Sequence, residues 1–172
     1  MMKTGQNFGI LYCLLVICQV LLCNYFQFTP YIMLTILPAM VLCIPLSVST
    51  IGSLFIAFAS ALATDWLAEG TIGLNAAALL PVAILRKPVI RLFFGEDLIT
   101  RQDSFSFRKN GAAKVNAALL TSLAVFMTTY IILDGAGTRP VWFNLARGSA
   151  SMACSWLLSL IVVNTLAPDD RK

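Results

Sequence analysis

The chain has 172 residues, of which 59% are hydrophobic and only 12% charged, and its formal net charge is +4. Soluble domains carry about 25% charged residues, so this composition excludes an ordinary soluble protein. Residues 4–64 contain no charged residue, and because a helix needs about 20 residues to cross the hydrocarbon, that stretch has room for about three crossings. We therefore expect an all-α membrane protein with a single domain over 1–172.

Charge, proline and glycine divide the chain into six predicted spans. They cover roughly 8–26, 30–46, 49–67, 71–85, 113–133 and 144–166. The first is too long for the apolar part of a cleaved signal peptide, and no small-residue cleavage site follows it, so we expect it to be retained. The second contains Pro38 and Pro45, which favour a kinked or broken helix. Residues 86–112 are predicted to form a polar cytoplasmic loop.

Lysine and arginine are distributed unequally between the two sides of such a bundle. The side that holds both termini and the region 86–114 has ten of the twelve: Lys3, Arg86, Lys87, Arg91, Arg101, Arg108, Lys109, Lys114, Arg171 and Lys172. The other side has Arg139 and Arg147. Because positive loops stay in the cytoplasm, we expect both termini inside, and Asp65 at the outer face with Trp66 and Trp142 near the outer interface.

Basic residues stand among apolar ones directly after the predicted fourth span. Arg86, Lys87 and Arg91 are interspersed with valine, isoleucine, leucine and phenylalanine. Such a segment either lies flat on the inner leaflet with its basic groups on anionic lipid, or is the frayed end of a span that carries topology charges. We take these three residues as candidate contacts to inner-leaflet lipid.

No motif for catalysis or metal binding is present. The chain contains no histidine, which removes histidine-based triads and metal ligands. No C-x-x-C, P-loop, G-x-S-x-G or glycine-rich nucleotide motif occurs. The cysteines are interpreted as small apolar packing residues; they are Cys13, Cys18, Cys23, Cys43 and Cys154. We expect no enzymatic activity, no cofactor, no metal and no nucleic-acid partner.

Four asparagines are the larger polar groups in or beside the spans: Asn75, Asn116, Asn144 and Asn164. Each either lines a cavity, as in a transporter, or forms an interhelical hydrogen bond that contributes about 1 kcal/mol. The predicted spans hold essentially no ionisable group away from their ends, whereas such groups mark transport pathways. We therefore favour the hydrogen bond in each case.

Small residues recur every four positions on three of the predicted spans. They are Ser49, Ser53, Ala57 and Ala61 on the third, Gly73 and Ala77 on the fourth, and Ser151, Ser155 and Ser159 on the sixth. Small residues at this spacing let helix backbones approach closely, either within one bundle or on a partner. The first stripe leads to Asp65, so we expect this acid to face a neighbouring helix. An acid near a helix C-terminus needs a partner, such as a backbone N–H, Asn75 or another subunit.

The stretch that begins at Asp65 resembles the MreD family, the small membrane proteins of the bacterial rod-shape machinery. The shared pattern is an acid that closes a helix, a turn with glycine, and Leu-Gly-Leu-like residues before an alanine-rich helix. In this chain the pattern is Asp65, Gly70, Ile72, Gly73, Leu74, Asn75, Ala76, Ala77 and Ala78. The length, the six-span layout and the proline-bearing second span also agree, and in general character the chain resembles MreD of the Bacteroidetes. Many family members carry histidine where Asn75 stands, so a protonation role does not carry over.

The resemblance implies a location in the bacterial inner membrane and a fold like that of the substrate-binding subunits of ECF vitamin transporters. It implies a non-catalytic scaffold that binds MreC, in a complex with MreB, RodA and a class B penicillin-binding transpeptidase, and that supports lateral peptidoglycan synthesis. The candidate interaction and packing residues are then Asp65, Glu69, Gly70, Gly73, Asn75, Ser53, Ala57 and Ala61.

Two alternatives to the scaffold remain open. The first is an ECF-type subunit that binds a small vitamin-like ligand for uptake. That class docks its energising module through Ala-x-x-x-Ala faces on the first span, which the stretch ILYCLLVICQVLL lacks. The second is a handler of lipid-linked precursors, whose pyrophosphate would contact the basic inner loop. Membrane topology already accounts for those basic residues.

Overall fold

The structure is a computed structural model, and every regular element in the part of the chain that it describes is a helix. The described residues are 4–25, 32–69, 71–95, 111–135 and 140–166. The elements are α1 (Thr4–Tyr25), α2 (Leu37–Cys43), α3 (Thr50–Thr64), a π-helical turn (Asp65–Glu69), α4 (Leu74–Phe94), α5 (Ala112–Gly135) and α6 (Val141–Leu166).

Four of these helical stretches are long and apolar enough to cross a membrane. They are Phe8–Tyr25, Thr50–Ala68, Ala112–Asp134 and Trp142–Leu166. Large apolar side chains such as Ile10, Phe55 and Leu157 are exposed on the outside of the bundle, where lipid rather than water accommodates them. The prediction of an all-α membrane protein is confirmed.

The helix α2 and the chain before it differ most from the expected second span. Only seven residues are helical, with Pro38 in the first turn and Pro45 just beyond the end, and seven residues extend only about 10 Å. The broken helix that the two prolines predicted is therefore confirmed for the described residues, and its helical part is much shorter than the span of 30–46. Every residue of α2 is buried, and α2 contacts all five other α-helices. Non-helical backbone is tolerated at membrane depth when protein surrounds it in this way.

The non-helical residues 32–36 lead into α2 and are held by serines of α6. The Met33 N–H donates to Ser151 Oγ at 2.9 Å, and the Thr35 N–H donates to Ser155 Oγ at 3.0 Å. The four-residue spacing of these serines predicted close helix packing. In the structure the two serines instead accept from alternate N–H groups of this non-helical segment.

A glutamine of α1 completes the hydrogen bonding of the same segment. Gln19 is fully buried, and its Oε1 accepts from the Ile36 N–H at 2.8 Å while its Nε2 donates to the Leu34 carbonyl at 3.2 Å. Buried backbone groups are costly when they lack partners. Side chains from the first and last helices therefore replace the bonds that a continuous second helix would have made internally.

The helix α4 is longer than the sequence indicated. The predicted fourth span ended near residue 85, with a loop from 86 onward, whereas the helix continues through Pro88 to Phe94. Gly95 then ends the helix, because it adopts a positive φ of 77°. Pro88 and the basic residues predicted that the span ends before residue 86. That end was placed too early, because Arg86 is part of the helix and points into the bundle. The remainder of the predicted loop, 96–110, lies outside the described residues.

Candidate functional site

The Asp65 carboxylate lies at the start of α4 and is completely buried. Its Oδ2 accepts from the Gly73 N–H at 2.9 Å and the Ala76 N–H at 3.2 Å, and its Oδ1 accepts from the Asn75 N–H at 3.0 Å. The first N–H groups of a helix have no partner within the helix, and the helix dipole favours an anion there. The expectation of a backbone N–H partner for this acid is confirmed.

The chain remains helical past Asp65. Residues Asp65–Glu69 form a π-helical turn, and the Asp65 N–H still donates to the carbonyls of Ala61 and Leu62. Asp65 therefore caps the next helix instead of ending its own. Gly73, just before α4, has φ 100°, a conformation that glycine adopts without strain. The Glu69 side chain and Gly70, both candidate site residues, lie outside the described part of the chain.

The small-residue stripe of α3 packs inside this chain. Ser53, Ala57 and Ala61 are all buried, and α3 contacts α1, α2 and α4. These residues bring the helices close together and are not available to another protein. Ala77, which the spacing paired with Gly73, is exposed instead.

Three apolar side chains of the turn between α3 and α4 point outward, and we call them the hairpin face. Trp66 is 75% exposed, Leu67 62% and Ile72 71%. The turn is also tied to the end of α1, because Asn24 Nδ2 donates to the Leu67 carbonyl at 3.3 Å. The hairpin face is therefore an apolar surface on a turn that is fixed from two sides.

An ion pair joins the end of α5 to the first part of α6. Arg147 Nη1 and Asp134 Oδ2 form an ion pair at 2.6 Å, and both side chains are partly exposed. Trp142, near the start of α6, is exposed to a similar degree as Trp66. An exposed tryptophan thus lies close to an acid in both places, Trp66 beside Asp65 and Trp142 near Asp134.

Arg86 is the residue whose position the sequence analysis missed. Its side chain is 1% exposed, and its Nη2 donates to the Ile44 carbonyl just after α2. The predicted position at the surface of the inner leaflet is therefore wrong for Arg86, because its side chain lies inside the bundle. Lys87 is half-buried and Arg91 is exposed. Spacing offered a signal, because Arg86 follows the buried Asn75 by eleven residues, or about three helical turns.

The remaining guanidinium nitrogens of Arg86, Nε and Nη1, have no hydrogen-bond partner. The groups that interact electrostatically with Arg86 are Tyr12 and Cys43, and the Tyr12 hydroxyl in turn donates to Ser60 Oγ at 3.4 Å. Polar side chains of α1 and α2 therefore lie within electrostatic range of one buried cation, and Ser60 of α3 is bonded to the first of them. None of these neighbours is an acid, and we call the four side chains the Arg86 cluster.

The asparagines give a mixed result. The side-chain Nδ2 and Oδ1 of Asn75 are buried and have no hydrogen-bond partner, as is also true of Asn116 Oδ1. The interhelical hydrogen bond predicted for the Asn75 side chain is thus not made. Asn144 is half-buried and Asn164 is exposed.

Comparisons with protein-family models, curated proteins and solved structures give no match to this chain. The similarity of the Asp65 stretch to MreD stays a prediction from the residues. The function is therefore argued from the geometry of the two sites.

Proposed function

We propose that this chain is a non-catalytic scaffold subunit of the cell-elongation complex, of the MreD kind, and that it binds MreC through the hairpin face. The observation that carries the proposal is the buried Asp65 carboxylate, which joins the end of α3 to the start of α4 through three backbone N–H groups. It holds an exposed apolar surface in one conformation.

A rigid apolar surface suits a scaffold on physical grounds. Association costs free energy when loops and side chains are ordered at the interface, and a surface that is already ordered avoids part of that cost. Aromatic residues are also enriched among those that contribute most to binding. Trp66 would be the central anchor, with Leu67 and Ile72 beside it.

The proposed orientation places both termini in the cytoplasm of a bacterial inner membrane. It is supported by the ten basic residues that a six-span layout assigns to the side of the termini. The hairpin face would then lie at the outer face of the membrane. MreB, RodA and the class B transpeptidase would belong to the same complex. We propose no direct contact between them and this chain.

Capture of the membrane-embedded chain by tagged MreC tests the proposal. We expect Trp66→Ala to lower recovery about tenfold or more, since loss of an anchor residue costs about 2 kcal/mol or more. Trp142→Ala is the matched control, because it removes an equally exposed tryptophan from the other turn. Equal recovery of the two variants, or recovery of Trp66→Ala at the wild-type level, would contradict the proposal.

A second candidate is the ECF-type subunit that takes up a small ligand, and the Arg86 cluster favours it. A buried ionisable group in a membrane bundle is a common mark of a substrate site. Depletion of the protein in cells separates the two candidates. Cell rounding with lost MreC localisation supports the scaffold, whereas normal shape with lost vitamin uptake supports the transport subunit.

A further inference from the structure

We propose that Arg86 binds a monoanionic oxygen group, a carboxylate or a phosphodiester, inside the bundle between α1, α2 and α4. The inference goes beyond the scaffold role and does not depend on it. Under the transport candidate, the same residue would hold the acidic group of the ligand.

The first argument is the incomplete bonding of the guanidinium. A buried arginine is costly unless its charge is paired and its N–H groups are satisfied. The carbonyl of Ile44 uses Nη2, which caps the end of α2 and explains why the side chain turns inward. Capping leaves the positive charge and the donors on Nε and Nη1 without a partner. An external anion would balance the positive charge and accept hydrogen bonds from these two nitrogens.

The second argument is the chemistry of the neighbours. The Tyr12 hydroxyl donates to Ser60 Oγ, and the Ser60 hydroxyl donates to the Ala57 carbonyl. A hydroxyl hydrogen rotates, so an anionic oxygen that entered beside either group would accept that hydrogen instead. Cys43 supplies a thiol, which is a weaker donor. The cluster offers one formal positive charge. A single negative charge balances it, whereas a dianion would leave a net charge in the bundle. This favours a carboxylate or a phosphodiester over a phosphate monoester.

A small apolar cluster lies beside Arg86. Leu46 and Ile90 form it, and Phe94 packs against both this cluster and the main core. Ile90 lies one turn after Arg86, and Leu46 lies two residues after the carbonyl that Arg86 contacts. Displacement of these three side chains would open a path to Arg86 from the C-terminal end of α4.

The test uses the full chain, purified in dodecyl maltoside, with two probes. Benzoate represents a free carboxylate, with benzamide as its neutral counterpart, and micelles that contain phosphatidylglycerol represent a lipid phosphodiester. The thermal unfolding midpoint is followed against probe concentration, because a ligand that binds only the folded state raises it. We expect benzoate or phosphatidylglycerol to raise the midpoint, and benzamide to leave it unchanged.

The variants assign the response to one residue. Arg86→Gln should weaken the apparent affinity for the active probe about tenfold or more, since a hydrogen bond to a charged group is lost. Lys114→Gln removes an exposed basic residue near the start of α5 and should respond as the wild type does. If Arg86→Gln does not fold, Tyr12→Phe carries the test and should weaken the affinity by a smaller factor.

Each outcome decides the question. A response to benzoate alone identifies a free carboxylate as the source, and one to phosphatidylglycerol alone identifies a lipid; either supports the proposal if it depends on the Arg86 cluster. No response of the wild type to either probe would overturn it, as would an Arg86→Gln or Tyr12→Phe variant that keeps the full affinity. The MreC capture experiment is unaffected by this result, so the two proposals fail separately.

Discussion

Asp65 and Arg86 are both buried almost completely, at 0% and 1% exposure, and their surroundings are opposite in kind. Three backbone N–H groups surround the anion, whereas the cation has one carbonyl and two nitrogens without partners. The first charge is satisfied by the fold itself. The charge of Arg86 is only partly satisfied, and a buried polar group without hydrogen-bond partners is a candidate for a functional role.

The largest effect expected from this difference concerns Asp65→Ala. The substitution leaves the N–H groups of Gly73, Asn75 and Ala76 without an acceptor, and we expect the free energy of unfolding to fall by about 3 kcal/mol or more. Unfolding by sodium dodecyl sulfate, followed by circular dichroism, measures the loss. Asp65→Asn retains one acceptor oxygen and should lose less. An Asp65→Ala variant as stable as the wild type would show that the cap contributes little.

Arg86→Met should behave in the opposite way in the absence of a ligand. It removes a buried charge that lacks a full partner and keeps a similar apolar volume, so we expect stability to stay unchanged or to rise by about 2 kcal/mol. The same detergent titration measures it. A loss comparable to that of Asp65→Ala would mean that Arg86 is as fully satisfied as Asp65, which would remove the contrast between the two charges.

The non-helical segment before α2 gives an intermediate effect. Ser155→Ala leaves the Thr35 N–H without its acceptor, and we expect a loss of about 1–2 kcal/mol. Ser149→Ala is the matched control, because this exposed serine of α6 bonds only to a carbonyl of its own helix. Equal stability of the two variants would show that the segment is not held by α6 in the way that the structure indicates.

The smallest effect is expected at the second turn. Asp134→Asn breaks a partly exposed ion pair with Arg147, and such pairs contribute about 0.2–1 kcal/mol. The loss should shrink further as salt is added to the titration, because exposed charges are screened. A loss as large as that of Asp65→Ala would indicate that both turns are fixed equally strongly.

The helical class and the turn at Asp65 could be predicted, because composition and a single acid in an apolar stretch have few physical explanations. The backbone partner of Asp65 was among the expected ones for the same reason. The prolines predicted a break in the second span, but neither the short length of α2 nor the buried position of Arg86 could be predicted. Both depend on contacts between residues far apart in the chain, such as Gln19 with Ile36 and Arg86 with Ile44. Apolar composition alone did not reveal that α2 is short, since a buried segment and a lipid-facing span look alike in sequence.

The hydrogen bonds between the non-helical segment and α6 have a consequence for biogenesis. Met33 and Thr35 find their acceptors 118 and 120 residues later in the chain. During synthesis these two N–H groups emerge long before Ser151 and Ser155 exist. The region around α2 therefore reaches its final arrangement only after the last helix has entered the membrane. A segment that is made well before α6 is thus among the last parts of the bundle to be completed.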